Sequence, residues 1–166
     1  MFSAKITVLA GQVINLADRN EISIVTAESC TGGLIAAALT SIAGSSRVVY
    51  GGFVSYANAA KMGMLDVPPH VLDTYGAVSE QAALAMVEGA LAASNAGIAV
   101  AVTGVAGPGG GSAEKPVGLV HFACATLTSA RHVERRFGDI GRTAVRETTV
   151  IHALELMIEE MKDVQP

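Results

Sequence analysis

Three segments of this chain bring together residue types that can attack, activate and hold a small polar substrate. The first is Ala27-Glu28-Ser29-Cys30-Thr31-Gly32-Gly33, which follows an apolar run and precedes an Ala/Leu-rich stretch. A serine at such a strand-to-helix turn sees the free amides and positive dipole end of the helix. Those donors can hold an oxyanion, and Gly32-Gly33 admits close approach of a substrate to the backbone. The same residues also make an ordinary cap and turn. Ala27 and Thr31 replace the glycines of a Gly-x-Ser-x-Gly elbow, so that motif is absent. Cys30 is either a rival nucleophile or a small buried thiol.

The second segment is Ser55-Tyr56-Ala57-Asn58-Ala59-Ala60-Lys61, at the exit of a strand candidate. Tyr56 and Asn58 share a face if the strand runs on to Asn58, and Lys61 follows about one helical turn later. A lysine acts as a general base only where burial or a neighbouring cation brings its pKa well below the free value of about 10.4. The apolar neighbours Ala59, Ala60, Met62 and Met64 permit that burial, and an ordinary solvated lysine is the alternative.

The third segment, Thr103-Gly104-Val105-Ala106-Gly107-Pro108-Gly109-Gly110-Gly111-Ser112, follows the most apolar run of the sequence. Its five glycines expose amides and leave room for a ligand. Gly110 stands where a phosphate-loop lysine belongs, and Ser112 where Gly-x-Gly-x-x-Gly needs its last glycine, so neither nucleotide motif is met. Arg142 and Arg146 then lie at i and i+4 at the start of the last helix, against the helix dipole. Either a carboxylate or a bound phosphate would compensate them. His70, His121, His132 and His152 are scattered without metal-ligand spacing, so no metal is expected.

Alternating helical and extended patterns must position these segments. The spacing predicts an amphipathic first helix carrying Ile6, Leu9, Val13 and Leu16, in preference to a cleaved export signal, then a strand over 22–27 and a helix over 32–42. A strand over 47–56, a short helix over 58–64 and a helix opened by Pro68-Pro69 follow. Ser79 caps a helix over 80–94. A buried strand over 98–102 leads into the glycine-rich loop 104–116, then a hairpin of 117–126 and 131–137, and a last helix over 142–161. The order implies an α/β fold: a three-layer sandwich with helices on both faces of a mixed sheet, in one domain over 1–166.

The composition of the 166 residues is 51% hydrophobic and 4% aromatic, with 11 Lys+Arg against 15 Asp+Glu and a net charge of −4. That balance excludes intrinsic disorder and argues against nucleic-acid binding through phosphate charge or base stacking. No apolar run reaches the roughly 20 residues of a membrane span. Two cysteines, Cys30 and Cys124, are too few for a disulfide scaffold, and a reducing cytoplasm is the simplest setting.

Taken together, Ala27 to Gly33, Tyr56 to Lys61, Gly76-Ala77-Val78-Ser79, Thr103 to Gly111 and Lys115-Pro116-Val117-Gly118 resemble the C-terminal domain of the competence/damage-inducible protein CinA family, over nearly the whole chain and in a stand-alone form. The resemblance implies a nicotinamide-nucleotide amidohydrolase that releases ammonia from nicotinamide mononucleotide through a Ser/Lys pair matching Ser29 and Lys61, with Tyr56 as a proton-relay partner. It implies no cofactor, and it suggests a homodimer. In that reading the amides of Cys30, Thr31, Gly32 and Gly33 stabilise the oxyanion. Asn58, Thr103, Gly104, Gly107, Gly109 and Gly110 line the substrate site, and Arg142 and Arg146 with the glycine loop cradle its phosphate. The rivals are an amidase for another small amide, a non-catalytic nucleotide-binding or assembly module, and a thiol enzyme using Cys30.

Overall fold

The computed structural model describes residues 2–163. Helix α1 (Ala4–Arg19) leads to strand β1 (Ile24–Glu28) and helix α2 (Leu34–Thr40). A short 3-10 turn (Ser45–Arg47) precedes β2 (Val49–Val54), followed by α3 (Asn58–Leu65), α4 (Pro69–Tyr75) and α5 (Glu80–Ser94). Then come β3 (Ile98–Gly104), β4 (Leu119–Thr126), β5 (Ala130–Arg136) and α6 (Arg142–Asp163). The expected three-layer α/β sandwich is present. Several element ends differ from expectation by one or two residues, β2 for example running Val49–Val54 against the expected 47–56, and the 3-10 turn is an addition.

The five strands form one sheet in the order β2-β1-β3-β4-β5. β1 is parallel to β2 and to β3, whereas β4 and β5 continue the sheet antiparallel. The chain leaves β1 through α2 on one face and returns to β3 through α3–α5 on the other. The carboxyl ends of β1 and β3 therefore flank a topological switch point, where open α/β sheets leave a crevice.

The two faces are filled differently. Ile98, Val100 and Val102 of β3, with Val120, Phe122 and Cys124 of β4, pack under α1, α2 and α6. The alternate positions Ala99, Ala101, Ala123 and Ala125 pack under α5, whose buried residues include Ala82, Ala83, Met86, Val87 and Ala90. Small residues on both sides bring α5 close to the sheet. Gly89 of α5 completes this packing on the far side, where a Cβ would sit 1.9 Å from the Leu65 carbonyl oxygen of α3.

Ser79 holds the start of α5 through its Oγ, which accepts from the Ala82 amide at 3.1 Å. The opposite helix layer rests on the pairing of α1 with α6, tied at the surface by Lys5 and Glu155 at 3.1 Å.

Because helix and carbonyl cannot separate without opening the core, Gly89→Ala is expected to destabilise the fold by at least about 2 kcal/mol through overpacking. A thermal melt checks this: the midpoint falls by several degrees, although alanine is the better helix former.

Candidate active site

Ser29 follows the last residue of β1, and its amide donates to the Val102 carbonyl of β3 at 3.0 Å, extending the ladder by one residue. On the other side, the Ser55 amide donates to the Glu28 carbonyl at 2.9 Å. The parallel register therefore brings the exits of β1, β2 and β3 side by side. A cavity of about 280 Å³ opens there, lined by Ser29, Cys30, Tyr56, Lys61, Ala77, Val78, the stretch Thr103–Gly107, Gly109, Gly110 and Arg142.

Lys61 reaches this cavity from α3 and is 0% solvent-exposed. Its Nζ lies 3.0 Å from Ser29 Oγ, 2.9 Å from the Ser55 carbonyl oxygen and 3.3 Å from the Tyr56 carbonyl oxygen. The two carbonyls only accept. A neutral amine has two N–H donors and one lone pair, so once the carbonyls take both donors the lone pair faces the Ser29 hydroxyl. In that neutral form Ser29 O–H donates to Lys61, whereas an ammonium donates to Ser29 Oγ as well as to the two carbonyls.

Burial lowers the Lys61 pKa from its usual 10.5 by penalising the ammonium form, opposed by the neighbouring Cys30 sulfur. That opposition requires a thiolate, and burial pushes the Cys30 thiol up to about 12. At neutral pH Cys30 is therefore an uncharged thiol, and burial remains the cause of the lowered Lys61 pKa. A protonated, buried thiol is also a poor nucleophile, which disfavours the thiol-enzyme reading.

The nucleophile turn is shaped by a residue that the sequence reading left out. Glu28 is fully buried, and its carboxylate accepts from the Gly33, Ile35 and Ala36 amides at 3.0, 3.0 and 2.8 Å. It also accepts from the Thr31 and Thr26 hydroxyls at 2.6 and 3.2 Å. The carboxylate thus caps α2, a task that the left-handed Gly33 at its N-cap cannot perform. The available signal was a carboxylate at the end of an otherwise apolar strand, with threonines two residues before and three after.

This capping corrects several expectations. The Gly33 amide is taken by Glu28, and the Gly32 amide donates to the Ser29 carbonyl at 3.1 Å. Of the four expected oxyanion donors, only the Cys30 and Thr31 amides have no acceptor among the described residues. Thr31 is fully buried and its hydroxyl faces Glu28, and Thr31, Gly32 and Gly33 all lie outside the cavity lining. Asn58 is exposed at the start of α3 and also outside it. With β2 ending at Val54, the strand face that would have carried Asn58 beside Tyr56 does not exist.

Thr103, Gly104, Gly107, Gly109 and Gly110 do line the cavity. Thr103 Oγ1 donates to the Ala77 carbonyl at 2.7 Å, tying β3 to the segment before α5. Ala77 and Val78 of the Gly76–Ser79 motif, and Val105 and Ala106 of the glycine-rich segment, supply apolar walls although none was singled out as a site residue.

The two arginines of α6 separate in role. Arg142 spans the cavity rim, with Nη1 donating to the Gly107 carbonyl at 2.9 Å and Nη2 to the Tyr56 hydroxyl at 3.0 Å. Arg146 instead donates to the Thr31 carbonyl at 2.8 Å and lines a separate cavity with Phe2, Ile6, Leu34 and Glu147. It therefore does not face the Ser29 cavity, contrary to its expected place in a phosphate cradle. Backbone carbonyls and a tyrosine hydroxyl, not carboxylates, meet the two guanidinium groups. Among the described residues, no three His, Cys, Asp or Glu side chains gather as a metal site, and no helix is long and apolar enough to cross a membrane.

Comparison with known proteins agrees with this architecture. The chain is 50% identical to a CinA-like protein of Synechococcus sp. (strain RCC307) over 158 residues, which is 94% of this chain and 38% of that protein. It is 48% identical to a CinA-like protein of Parasynechococcus marenigrum (strain WH8102) over 148 residues, 89% of this chain and 35% of that protein. The chain thus spans little more than a third of these curated relatives. Among solved structures, the competence/damage inducible protein CihA from Agrobacterium tumefaciens superposes with a TM-score of 0.94 at 56% identity, covering 96% of this chain and 97% of that one. The competence damage-inducible protein A (ComA) from Klebsiella pneumoniae gives 0.92 at 33% identity, covering 96% and 99%. The sequence model of the CinA C-terminal domain matches residues 6–161, and the chain belongs to that family.

Proposed function

We propose that this domain hydrolyses the carboxamide of nicotinamide mononucleotide to nicotinate mononucleotide and ammonia. The observation that carries the reading is the buried Lys61 amine, 3.0 Å from Ser29 Oγ and turned toward it by two carbonyls. Hydrolysis of an unactivated amide needs a nucleophile, a base and an oxyanion stabiliser. Ser29 Oγ attacks the carboxamide carbon while its proton passes to the Lys61 lone pair. Of the two free amides, that of the cavity-lining Cys30 is the donor available to the oxyanion, worth roughly 3–4 kcal/mol in such a role.

Protonated Lys61 keeps its hydrogen bonds to the Ser55 and Tyr56 carbonyls and gives the acquired proton to the departing ammonia. The acyl group stays on Ser29. Water then attacks it, Lys61 taking the water proton and returning it to Ser29 Oγ. The cavity, slightly below the ~300 Å³ lower end of typical small-molecule pockets, suits a ring and its amide, with the rest of the nucleotide toward the rim. Arg142 is the cation at that rim, and Gly107, Gly109 and Gly110 leave the backbone beside it open. The Tyr56 hydroxyl accepts from Arg142 and bonds neither Ser29 nor Lys61, so in place of the expected proton relay it orients the guanidinium at the rim.

Ammonia release from nicotinamide mononucleotide by the purified protein tests the reading. Ser29→Ala and Lys61→Ala are each expected to lower turnover by about 10³-fold or more with the fold intact. Near-parental turnover in either variant, or nucleotide binding without ammonia release by the parent, overturns it. Arg142→Ala is expected to raise KM for the mononucleotide several-fold more than for the dephosphorylated riboside. An equal effect on both removes Arg142 from phosphate recognition.

The pH behaviour follows from Lys61. Because the base must be neutral, kcat/KM is expected to rise with pH along an acid limb whose midpoint lies below 10.5. Stability changes in the same direction. Between the lowered folded-state pKa and 10.5 the unfolded chain binds the extra proton, so this group makes stability rise with pH. Lys61→Met should flatten that rise in thermal melts as pH approaches 10.5 from below, while abolishing turnover.

A further inference from the structure

We propose that Glu28 is a positioning residue for the nucleophile, acting with Arg146 to lock the Ser29–Thr31 turn in its reactive geometry. The inference rests on the Ser29/Lys61 reading above and concerns residues that touch neither substrate nor Lys61.

The argument starts from a mismatch between element and side chain. Glu28 ends β1 at a site flanked on both sides by strands, where a charged group is costly unless fully satisfied. Here it receives five donors and is 0% exposed. A carboxylate offers about four lone-pair sites and no proton of its own, which suits a pocket made only of donors. A glutamine would keep one acceptor and turn an NH₂ group toward N–H donors. Room for this arrangement is kept by Gly52 of the neighbouring strand, where a Cβ would lie 2.5 Å from the Thr26 hydroxyl.

Capping a seven-residue helix does not by itself call for so elaborate a carboxylate site, since a serine or threonine cap serves most helices. The additional consequence lies in Thr31. Its hydroxyl is held by Glu28 at 2.6 Å, while its carbonyl is held from the opposite side by Arg146 at 2.8 Å. Thr31 is thus gripped from both ends by an anion in the sheet and a cation on α6. Ser29, two residues earlier, is fixed on its other side by the bond from its amide to Val102. Between these anchors the turn has little freedom, so the Ser29 hydroxyl and the two free amides keep fixed directions. Through its own carbonyl, Glu28 also holds Ser55, whose carbonyl binds Lys61 Nζ. One residue therefore registers both members of the pair, its backbone setting the base and its side chain the nucleophile.

The test measures Ser29 reactivity directly with a fluorophosphonate probe. Ser29 Oγ bonds to phosphorus, fluoride leaves, and the hydroxyl proton passes to Lys61. Glu28→Gln is expected to retain a cooperative thermal melt and to label at least tenfold more slowly than the parent, with ammonia release falling in parallel. Ala38→Gly, which weakens the interior of α2 away from the turn, is the control for stability alone and should label within twofold of the parent. A folded Glu28→Gln that labels less than tenfold more slowly overturns the proposal, as does an Ala38→Gly variant that slows labelling equally.

If Glu28→Gln does not fold, Thr31→Val decides, because it removes one donor from the carboxylate and preserves shape. Labelling at least fivefold slower supports the lock, and a smaller change overturns it. A parent that neither labels nor releases ammonia defeats the amidase reading and this inference together. Equal labelling of parent and variant defeats only the inference.

Discussion

The functional reading depends on one buried amine held by two carbonyl oxygens. Lysine is ordinarily a surface residue with a strongly hydrated ammonium. Here its whole side chain is covered, and the Ser55 and Tyr56 carbonyls meet it at the end of an edge strand. Those carbonyls would welcome an ammonium, yet burial works against the charge. The two effects act in opposite directions on the proton that Lys61 would exchange with the serine hydroxyl, and burial lowers the pKa. Neither the helix that carries Lys61 nor the strand that supplies the carbonyls creates this balance alone.

The architecture makes the meeting possible by splitting the sheet. Its parallel half places three strand exits side by side, so a serine after β1 and a lysine after β2 become neighbours although they lie 32 positions apart. Its antiparallel half adds no cavity-lining side chain. β4 flanks β3 and, with β5, supplies surface for α5 and α6. The chemistry thus occupies the half where exits coincide, and the hairpin completes the core.

Much of the fold was legible because the signals were local. Ser79 before a helical pattern, Pro68-Pro69 before another, and the apolar run Ile98–Val102 each mark an element that is present. Ser29, Lys61 and Tyr56 were legible as a set only through resemblance. Residue pattern left each with an ordinary alternative, since an apolar neighbourhood does not say which lysine will be buried. The errors share a physical cause. At the turn after β1, proximity in sequence suggested that Thr31, Gly32 and Gly33 would face a substrate, but the Glu28 carboxylate takes the Thr31 hydroxyl and the Gly33 amide, and the Gly32 amide turns back to Ser29. Arg146 sits one helical turn beyond Arg142, yet it points to the opposite side of the Ser29–Thr31 turn. Such directions are decided by tertiary partners, which no periodicity encodes.

The unequal filling of the two sheet faces has a further implication for how this sequence can change. Where α5 meets the sheet and α3, the alanines and Gly89 leave almost no spare volume, so natural variation at those positions is constrained from above: nearly every replacement of them adds atoms to a space already closed. On the α1–α2–α6 side, Ile, Val, Leu, Phe and Met fill the space, and the hazard is the reverse, a void left by a shortened side chain. The two layers therefore drift under opposite size limits. Relatives that diverge should exchange bulk among neighbours on the aliphatic side and remain nearly uniform in side-chain size on the other.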